Sequence, residues 1–249
     1  MATAPPEDQR RLLEVQALDT RLQQLVHQRR NHPSLATIAE LDGRIGDLHT
    51  SLVDSRTAVA DLERELAKAE ADVAQVRTRA ERDQQKLDSG ALSAKDSQAL
   101  VSELESLARR QSVLEDAEIE VMERLEAHQG SLAEVESAHA ELEAAKAKAT
   151  AERDEAWAEI NATGSKVKAE REATAAGLDA GLLALYDKLR AQLGGVGAAA
   201  LRGGRCEGCR LDLNPRDLAA AKAAAPEQVV RCEECGRILV RLADDGAAA

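Results

Sequence analysis

The sequence predicts a mainly α protein, with a long antiparallel coiled-coil helical hairpin followed by a small C-terminal domain built around four cysteines. Three observations lead to this prediction. Only 1% of the 249 residues are aromatic and none is Phe, whereas large globular cores depend on aromatic side chains for buried area. Apolar residues repeat with helical spacing over the first two thirds of the chain. All four cysteines lie within the last 44 residues.

Two segments carry apolar residues at alternating steps of three and four. The first runs from Ile38 to Leu87 and the second from Leu100 to Leu142. A repeat that averages about 3.5 residues keeps an apolar stripe against a partner helix in a left-handed supercoil. Between the segments, Gly90 favours a helix end. A short break between two long amphipathic helices therefore predicts an antiparallel αα-hairpin.

Local composition also places the domain boundaries. Pro33 removes a helix hydrogen bond and so predicts a break or kink. Gly194 and Gly195 end a short amphipathic helix that contains Tyr186, which we expect to be a packing residue. The predicted parts are a hairpin over 8–175 with its turn near 89–92 and a kink near 31–34, a connector over 176–204, and the cysteine domain over 205–245.

Two histidines, His128 and His139, occupy positions in the second apolar stripe. Polar residues in a coiled-coil seam fix its register at some cost in stability. We interpret both histidines in this way. Metal binding and pH sensing remain the alternatives.

The net charge of -12 is unevenly distributed. Residues 1–200 contain 25 basic and 37 acidic residues, whereas residues 201–249 contain eight of each. An acidic surface opposes binding to nucleic acid, which requires Lys and Arg, so an anionic partner is expected to meet the C-terminal part. The chain has neither an apolar stretch long enough for a membrane span nor the pattern of a secretory signal. We therefore expect a cytoplasmic protein without membrane association.

The cysteines form two C-x-x-C pairs. Cys206 and Cys209 are followed, after 22 intervening residues, by Cys232 and Cys235. This spacing predicts one Zn²⁺ held by four thiolates, which is a structural site because no coordination position stays open. A thioredoxin-like redox motif would require a βαβ unit, which is not visible. An iron–sulfur site is possible with four thiolates. Two C-x-x-C turns, here called knuckles, at this spacing favour zinc.

The residues around the cysteines predict a zinc ribbon. Segments 211–213, 229–230 and 237–240 have strand character, and Asn214 with Pro215 predicts a short helix over about 215–224. A domain of this size has little core, so the metal is expected to contribute much of its stability. Six arginines flank the two pairs and are candidate residues for binding nucleic acid or a partner; they are Arg202, Arg205, Arg210, Arg231, Arg237 and Arg241.

On these residues the sequence resembles a bacterial family that joins an N-terminal coiled-coil hairpin to a C-terminal C4-type zinc ribbon. The hairpin around Gly90, the first cysteine pair and the CEECGRIL segment from Cys232 to Leu239 carry the resemblance. It implies an adaptor or chaperone role. Family members in flagellated or type III secreting bacteria are linked to the nitrogen-type sigma factor, to export proteins and to a flagellin messenger RNA. Val240 departs from the aromatic residue that many relatives carry there.

The alanine and arginine bias resembles an actinobacterial member of the mycobacterial kind, in which the flagellar partners should be missing. We therefore expect a non-enzymatic adaptor that binds protein partners of unknown identity, as a monomer or a homodimer. The alternative is RNA or DNA binding through the arginine-rich ribbon. The ribbon lacks an aromatic platform on which bases could stack, which weakens the case for single-stranded RNA.

Overall fold

The computed structural model describes residues 2–242, so positions 243–245 of the predicted ribbon lie outside the described residues. The chain divides into two compact units. Unit 1 comprises Met1–Leu35 with Ala151–Ala249, and unit 2 comprises Ala36–Thr150. The described elements, in chain order, are α1 Pro6–Arg30, α2 Pro33–Asp88, α3 Ala94–Ala175, α4 Ala180–Gln192, β1 Ala198–Arg202, β2 Arg205–Cys206, α5 Pro215–Ala223, β3 Val230–Arg231 and β4 Ile238–Arg241.

In unit 2, α2 and α3 pack along the predicted apolar stripes. Val59 and Leu62 on α2 form a buried cluster with Leu125 on α3. Every α2 stripe position from Ile38 to Ala80 is buried or half-buried, whereas the residues between them are mostly exposed. On α3, His128 is exposed and His139 is half-buried. The apolar repeat at alternating steps of three and four residues therefore forms the seam between the two helices.

Charged pairs across this seam show that the two helices are antiparallel. Residues that come later on α2 pair with residues that come earlier on α3. The pairs are Asp42–Lys146, with an N–O distance of 2.7 Å, Arg56–Glu136 at 2.8 Å, Glu65–Arg124 at 3.3 Å, Arg77–Glu115 at 2.5 Å, and Arg79–Glu103.

The hairpin turn forms where its sequence predicts. Helix α2 ends at Asp88, and Gly90 adopts a left-handed φ of 66°, which glycine reaches without steric cost. The Ser93 hydroxyl accepts a hydrogen bond from the Asp96 N–H at 3.2 Å, as an N-cap does at the start of a helix. The long hairpin and the cysteine domain after it confirm the predicted fold class.

Unit 1 contains a three-dimensional core rather than a seam. Leu12 and Val15 of α1 pack with Tyr186 of α4 and with Ile238 and Val240 of β4. All of these side chains are fully buried. The ribbon therefore gains hydrophobic stabilisation from α1 and α4 in addition to what a metal contributes, which the composition alone did not indicate.

The sheet of unit 1 has the strand order β2-β1-β4-β3. Strand β1 pairs antiparallel with β2, β3 pairs antiparallel with β4, and β1 pairs parallel with β4. Strand β1 lies in the segment predicted to be a connector, because Ala198–Ala200 carry no strand signal in the sequence. The predicted strand over 211–213 is not formed. That segment makes only an isolated bridge between Asp212 and Arg205.

Two buried glutamines of α1 hold the chain that leads into and around the sheet. The Gln16 side chain accepts a hydrogen bond from the Gly197 N–H at 2.7 Å and donates one to the Gly195 carbonyl at 3.1 Å. The Gln9 amide donates to the carbonyls of Ala4 at 2.9 Å and Pro226 at 3.2 Å. Because these bonds satisfy buried backbone groups, α1 positions the sheet that carries the cysteines.

Candidate metal centre

The two cysteine pairs form two knuckles with equivalent hydrogen bonds. In the first, the Cys206 N–H donates to the Leu211 carbonyl at 3.0 Å, and the Arg210 N–H donates to the Cys206 carbonyl at 2.7 Å. In the second, the Cys232 N–H donates to the Arg237 carbonyl at 2.9 Å, and the Gly236 N–H donates to the Cys232 carbonyl at 2.8 Å. Each knuckle thus turns two sulfurs toward the same side.

The knuckles differ at one backbone position. Gly236 has a φ of 73°, and Arg210 occupies the equivalent left-handed position with a φ of 62°. A residue with a side chain is disfavoured in this conformation. Gly208 is required for a different reason, because a Cβ there would meet the Arg237 Cδ at 2.7 Å and the Ala199 Cβ at 2.9 Å. Gly208 therefore allows the first knuckle to pack closely against Arg237 and Ala199.

The four cysteine sulfurs lie within 4.8 Å of one another. The Cys206 and Cys235 Sγ atoms are 3.9 Å apart. Four sulfurs at about 2.3 Å from a tetrahedral zinc ion are separated by about 3.8 Å, so the observed spacing fits this geometry. Cys206 and Cys232 are buried, and Cys209 and Cys235 are half-buried. The arrangement is that of a C4 zinc ribbon and fits one structural Zn²⁺, as predicted.

Burial and hydrogen bonding shift the pKa values of the cysteine thiols in different directions. Burial raises the pKa of the Cys206 thiol and raises that of Cys232 to about 12. Burial also opposes ionisation of Cys235, but hydrogen bonds from the backbone and side chain of Arg237 lower its pKa to about 7. Because buried thiolates need a compensating positive charge, a divalent cation suits this cluster, and its binding releases protons.

The structure separates the six candidate arginines into two groups. Arg237 and Arg241 are half-buried and directed at the protein backbone. The Arg237 Nε donates to the Val196 carbonyl at 3.0 Å. The Arg241 guanidinium donates to five carbonyls, which belong to Ala221, Ala224, Ala225, Pro226 and Gln228. Both side chains therefore have a structural role that their position in the sequence did not reveal.

The other four arginines, Arg202, Arg205, Arg210 and Arg231, are exposed. The Arg205 Nε donates to the Arg210 carbonyl at 2.8 Å, and the Arg231 Nε donates to the Gly236 carbonyl at 2.8 Å. Each of these two arginines immediately precedes a cysteine pair and holds its own knuckle. The repeated Arg-Cys-Glu-x-Cys sequence in the two pairs is the signal that could have identified this role.

The family comparisons agree with this architecture. Residues 15–194 match the CT398-like coiled coil hairpin domain, and residues 205–239 match the C4-type zinc ribbon domain. Among residues 2–242, the four cysteines are also the one group of three or more His, Cys, Asp and Glu side chains placed to hold a metal ion. Within the same range, no helix has the length and apolar character needed to cross a membrane.

Similar proteins occur in mycobacteria and in a distant bacterium. The uncharacterized protein Rv2229c of Mycobacterium tuberculosis is 39% identical over 94% of this chain and 95% of its own length. A structure from Mycobacterium smegmatis has a TM-score of 0.83 at 35% identity, covering 96% of this chain and 100% of its own. CT398 from Chlamydia trachomatis shares the fold at a TM-score of 0.64 and 17% identity, over 95% and 98% of the two chains. This chain therefore belongs to the family of CT398-like coiled-coil hairpin proteins with a C4-type zinc ribbon.

Proposed function

We propose that this protein is a non-enzymatic adaptor or chaperone-like protein that binds protein partners through its helical hairpin and its zinc ribbon. The main supporting observation is the long α2–α3 pair of unit 2, whose outer faces are exposed and strongly charged. A two-helix seam needs only its inner stripe for folding, so most of the remaining surface is available to partners. The matched families are structural coiled-coil and ribbon families rather than enzyme families.

In this proposal Cys206, Cys209, Cys232 and Cys235 are the four ligands of one Zn²⁺. Four thiolates complete a tetrahedral site and leave no position for water or substrate, so the metal holds the ribbon together and does not catalyse a reaction. We also propose a cytoplasmic location, since clustered free thiols of this kind persist in a reducing compartment. The three-part division at 8–175, 176–204 and 205–245 remains a proposal, and the chain is expected to be a monomer or a homodimer.

Site-specific crosslinking of the full chain tests the adaptor proposal. A photo-crosslinking residue is placed at an exposed position on the hairpin, such as Ala67, and in a second variant at an exposed ribbon position, such as Arg216. We expect each variant to capture defined proteins from the source cell. The control carries the same group at Gln192, an exposed residue at the end of α4. If all three positions give the same background of proteins, the adaptor proposal fails.

Nucleic-acid binding through the ribbon is the second candidate function. The observation that favours it is the exposure of Arg202, Arg205, Arg210 and Arg231 around the two knuckles. Arg210 keeps a left-handed backbone although glycine fills the equivalent place in the second knuckle, and strained residues often occur at functional sites. Exposed arginines suit contacts with phosphates, which give affinity without sequence specificity.

This second candidate is tested with the full chain, RNA and duplex DNA across a range of salt concentrations. Substitution of both Arg202 and Arg210 by Ala should weaken binding and reduce the slope of log K against log salt by about 0.7 to 0.9 for each lost phosphate contact. Arg216→Ala on α5 serves as the matched control. Absence of binding at low salt excludes this candidate.

A further inference from the structure

Helix α3 of unit 2 keeps large apolar side chains exposed within one short segment. Val113, Ile119 and Met122 are 67%, 53% and 49% exposed, and they lie within ten residues of one another. Residues three apart on a helix are neighbours, so Ile119 and Met122 lie side by side. Val113 precedes Ile119 by six residues, which places it on a different side of the helix. Ile119 and Met122 thus form a small apolar face outside the α2–α3 seam.

Acidic residues surround this face. Glu115 and Glu126 lie four residues from Ile119 and Met122, respectively, and so share their side of α3. Between positions 113 and 126 the chain has six acidic residues and one basic residue, Arg124. The Glu115 carboxylate accepts hydrogen bonds from the Arg77 guanidinium at 2.5 Å and from the Gln111 side-chain amide at 2.8 Å. Glu126 is exposed.

The part of α2 opposite this segment of α3 contains several small side chains. Two charged pairs, Arg77–Glu115 and Glu65–Arg124, bracket the stretch of α2 that runs opposite residues 115–124. Between Glu65 and Arg77, α2 carries four alanines, of which Ala67, Ala71 and Ala74 are exposed. Small side chains allow a third helix to approach closely. Such a helix packs against Ile119 and Met122 as helices do in a coiled-coil bundle.

We propose that this face of α3, with Ile119 and Met122 at its centre, is a docking site for a lysine- or arginine-rich amphipathic helix of a partner protein. Such a helix places its apolar stripe on Ile119 and Met122 and its cations near Glu123 and Glu126. A second copy of this chain is disfavoured as the occupant, because symmetric pairing through this face would bring the same acidic residues together. The proposal rests on the adaptor function and specifies the chemistry of one partner.

The test uses the full chain and a fluorescein-labelled helical peptide of about 21 residues, which is long enough for a helix to form on binding. The peptide carries leucines in a heptad stripe and lysines elsewhere. Two comparison peptides have the same composition in scrambled order, or glutamate in place of lysine. Fluorescence anisotropy measures binding. We expect the amphipathic basic peptide to bind and the other two to bind at least about tenfold more weakly, since apolar anchors and charge must act together.

Variants of the protein locate the site. The double variant Ile119→Ser/Met122→Ser should weaken peptide binding about tenfold, because it removes the apolar anchors. The matched control, Val113→Ser, removes a more exposed apolar side chain from another side of the same helix and should leave binding within about twofold. Glu126→Lys should weaken binding and reduce its dependence on salt. All four substituted residues are exposed, and thermal unfolding verifies that each variant folds.

Other outcomes overturn the inference. Equal binding of the scrambled peptide, or binding that the double variant leaves unchanged, shows that charge alone attracts the peptide. A homodimer that the double variant converts to a monomer in sedimentation experiments shows that a second copy occupies the face. If Ala67-directed crosslinking still captures partner proteins while the peptide fails to bind, the adaptor function stands and only this docking site is wrong.

Discussion

Asp19 in unit 1 and Asp83 in unit 2 are both buried, and the two aspartates are stabilised in different ways. In unit 1, Asp19 is 2% exposed; its carboxylate accepts a hydrogen bond from the Tyr186 hydroxyl at 2.8 Å, and the guanidiniums of Arg171 and Arg190 lie 3.4 Å away. These partners come from α3 and α4, whereas Asp19 belongs to α1. The charge is therefore satisfied only when three helices are packed together.

In unit 2, Asp83 is 4% exposed and finds its partners on its own helix. The Lys86 ammonium donates to its carboxylate at 2.8 Å, and Arg82 and Arg79 lie at 3.8 and 3.9 Å. Local partners require no tertiary structure beyond the helix. The comparison indicates that unit 1 depends on contacts between distant segments and on its metal site, whereas unit 2 depends on a repeated local pattern.

Removal of the metal site should have the largest effect and should act on unit 1 alone. We expect Cys232→Ser/Cys235→Ser to lose the zinc and to unfold the β-sheet, since structural zinc supplies on the order of 10 kcal/mol of apparent binding free energy in small zinc domains. Zinc analysis and hydrogen exchange measure the two effects. Exchange in β1–β4 should become fast, and exchange over residues 36–150 should stay slow.

The matched control for this variant is Glu233→Ser/Glu234→Ser, which alters the same knuckle without removing a sulfur. It should keep one zinc per chain and the protected sheet. A cysteine variant with full zinc content would contradict the ligand assignment. Loss of protection in unit 2 as well would break the proposed contrast between the units.

Truncation of buried residues should show that the core of unit 1 is more tightly packed than the seam of unit 2. Ile238 is fully buried and Leu62 is 5% exposed. Ile238→Ala leaves a cavity enclosed by α1, α4 and β4 and should cost about 2 to 5 kcal/mol, whereas Leu62→Ala opens a seam that can partly collapse and should cost about 2 kcal/mol or less. Native-state hydrogen exchange reports the local stability of each unit separately. Equal losses at both sites would show that the seam is as tightly packed as the core.

The Tyr186 hydroxyl provides a smaller test. Burial raises the pKa of Tyr186, so the hydroxyl remains a protonated donor to Asp19. Tyr186→Phe keeps the ring and removes this bond, and it should lower the stability of unit 1 by about 1 to 2 kcal/mol. Thr57→Val is the control from unit 2, because the exposed Thr57 hydroxyl donates to the Val53 carbonyl of its own helix at 2.8 Å. Its effect should stay within about 0.5 kcal/mol. Similar effects for both variants would argue against a tertiary role for the hydroxyl.

The same contrast explains how much of the structure the sequence predicted. The hairpin of unit 2 was predictable because an apolar repeat, Gly90 and Ser93 act through local rules of helix pairing and capping. The cysteine cluster was predictable because a C-x-x-C pair forms a knuckle within a few residues. The helix predicted at about 215–224 forms as α5. It too depends on a local interaction, because the Asn214 side chain accepts a hydrogen bond from the Asp217 N–H at 2.9 Å.

The remaining features depend on tertiary contacts that leave little trace in the sequence. Strand β1 consists largely of alanines, so only its pairing with β2 and β4 makes it a strand. The buried glutamines of α1 look like surface residues until their backbone partners are known. Charge patterns do not distinguish a guanidinium that binds five carbonyls, such as that of Arg241, from one that is exposed to solvent.

The smallest expected effect concerns Asp83 at low pH. The hydrogen bond from Lys86, with further help from Arg82 and Arg79 and against the cost of burial, lowers the pKa of this carboxyl. A lowered pKa in the folded state means that the contribution to stability is present above the usual aspartate pKa of about 3.9 and is lost as the pH falls through the folded-state value. Asp83→Asn removes the titrating group. We therefore expect the variant to be slightly less stable to urea than the parent at pH 6. Near pH 2 the two proteins should have the same stability.

The control for this experiment is Asp61→Asn, an exposed α2 aspartate paired with Arg64 three residues later. Exposed pairs contribute little, so this variant should follow the parent at every pH. If Asp83→Asn instead lowers stability at pH 6 by as much as Tyr186→Phe does, the buried charge of unit 2 is held by more than its own helix. The distinction between a locally stabilised seam and a tertiary core would then fail at the position where the two units are most alike.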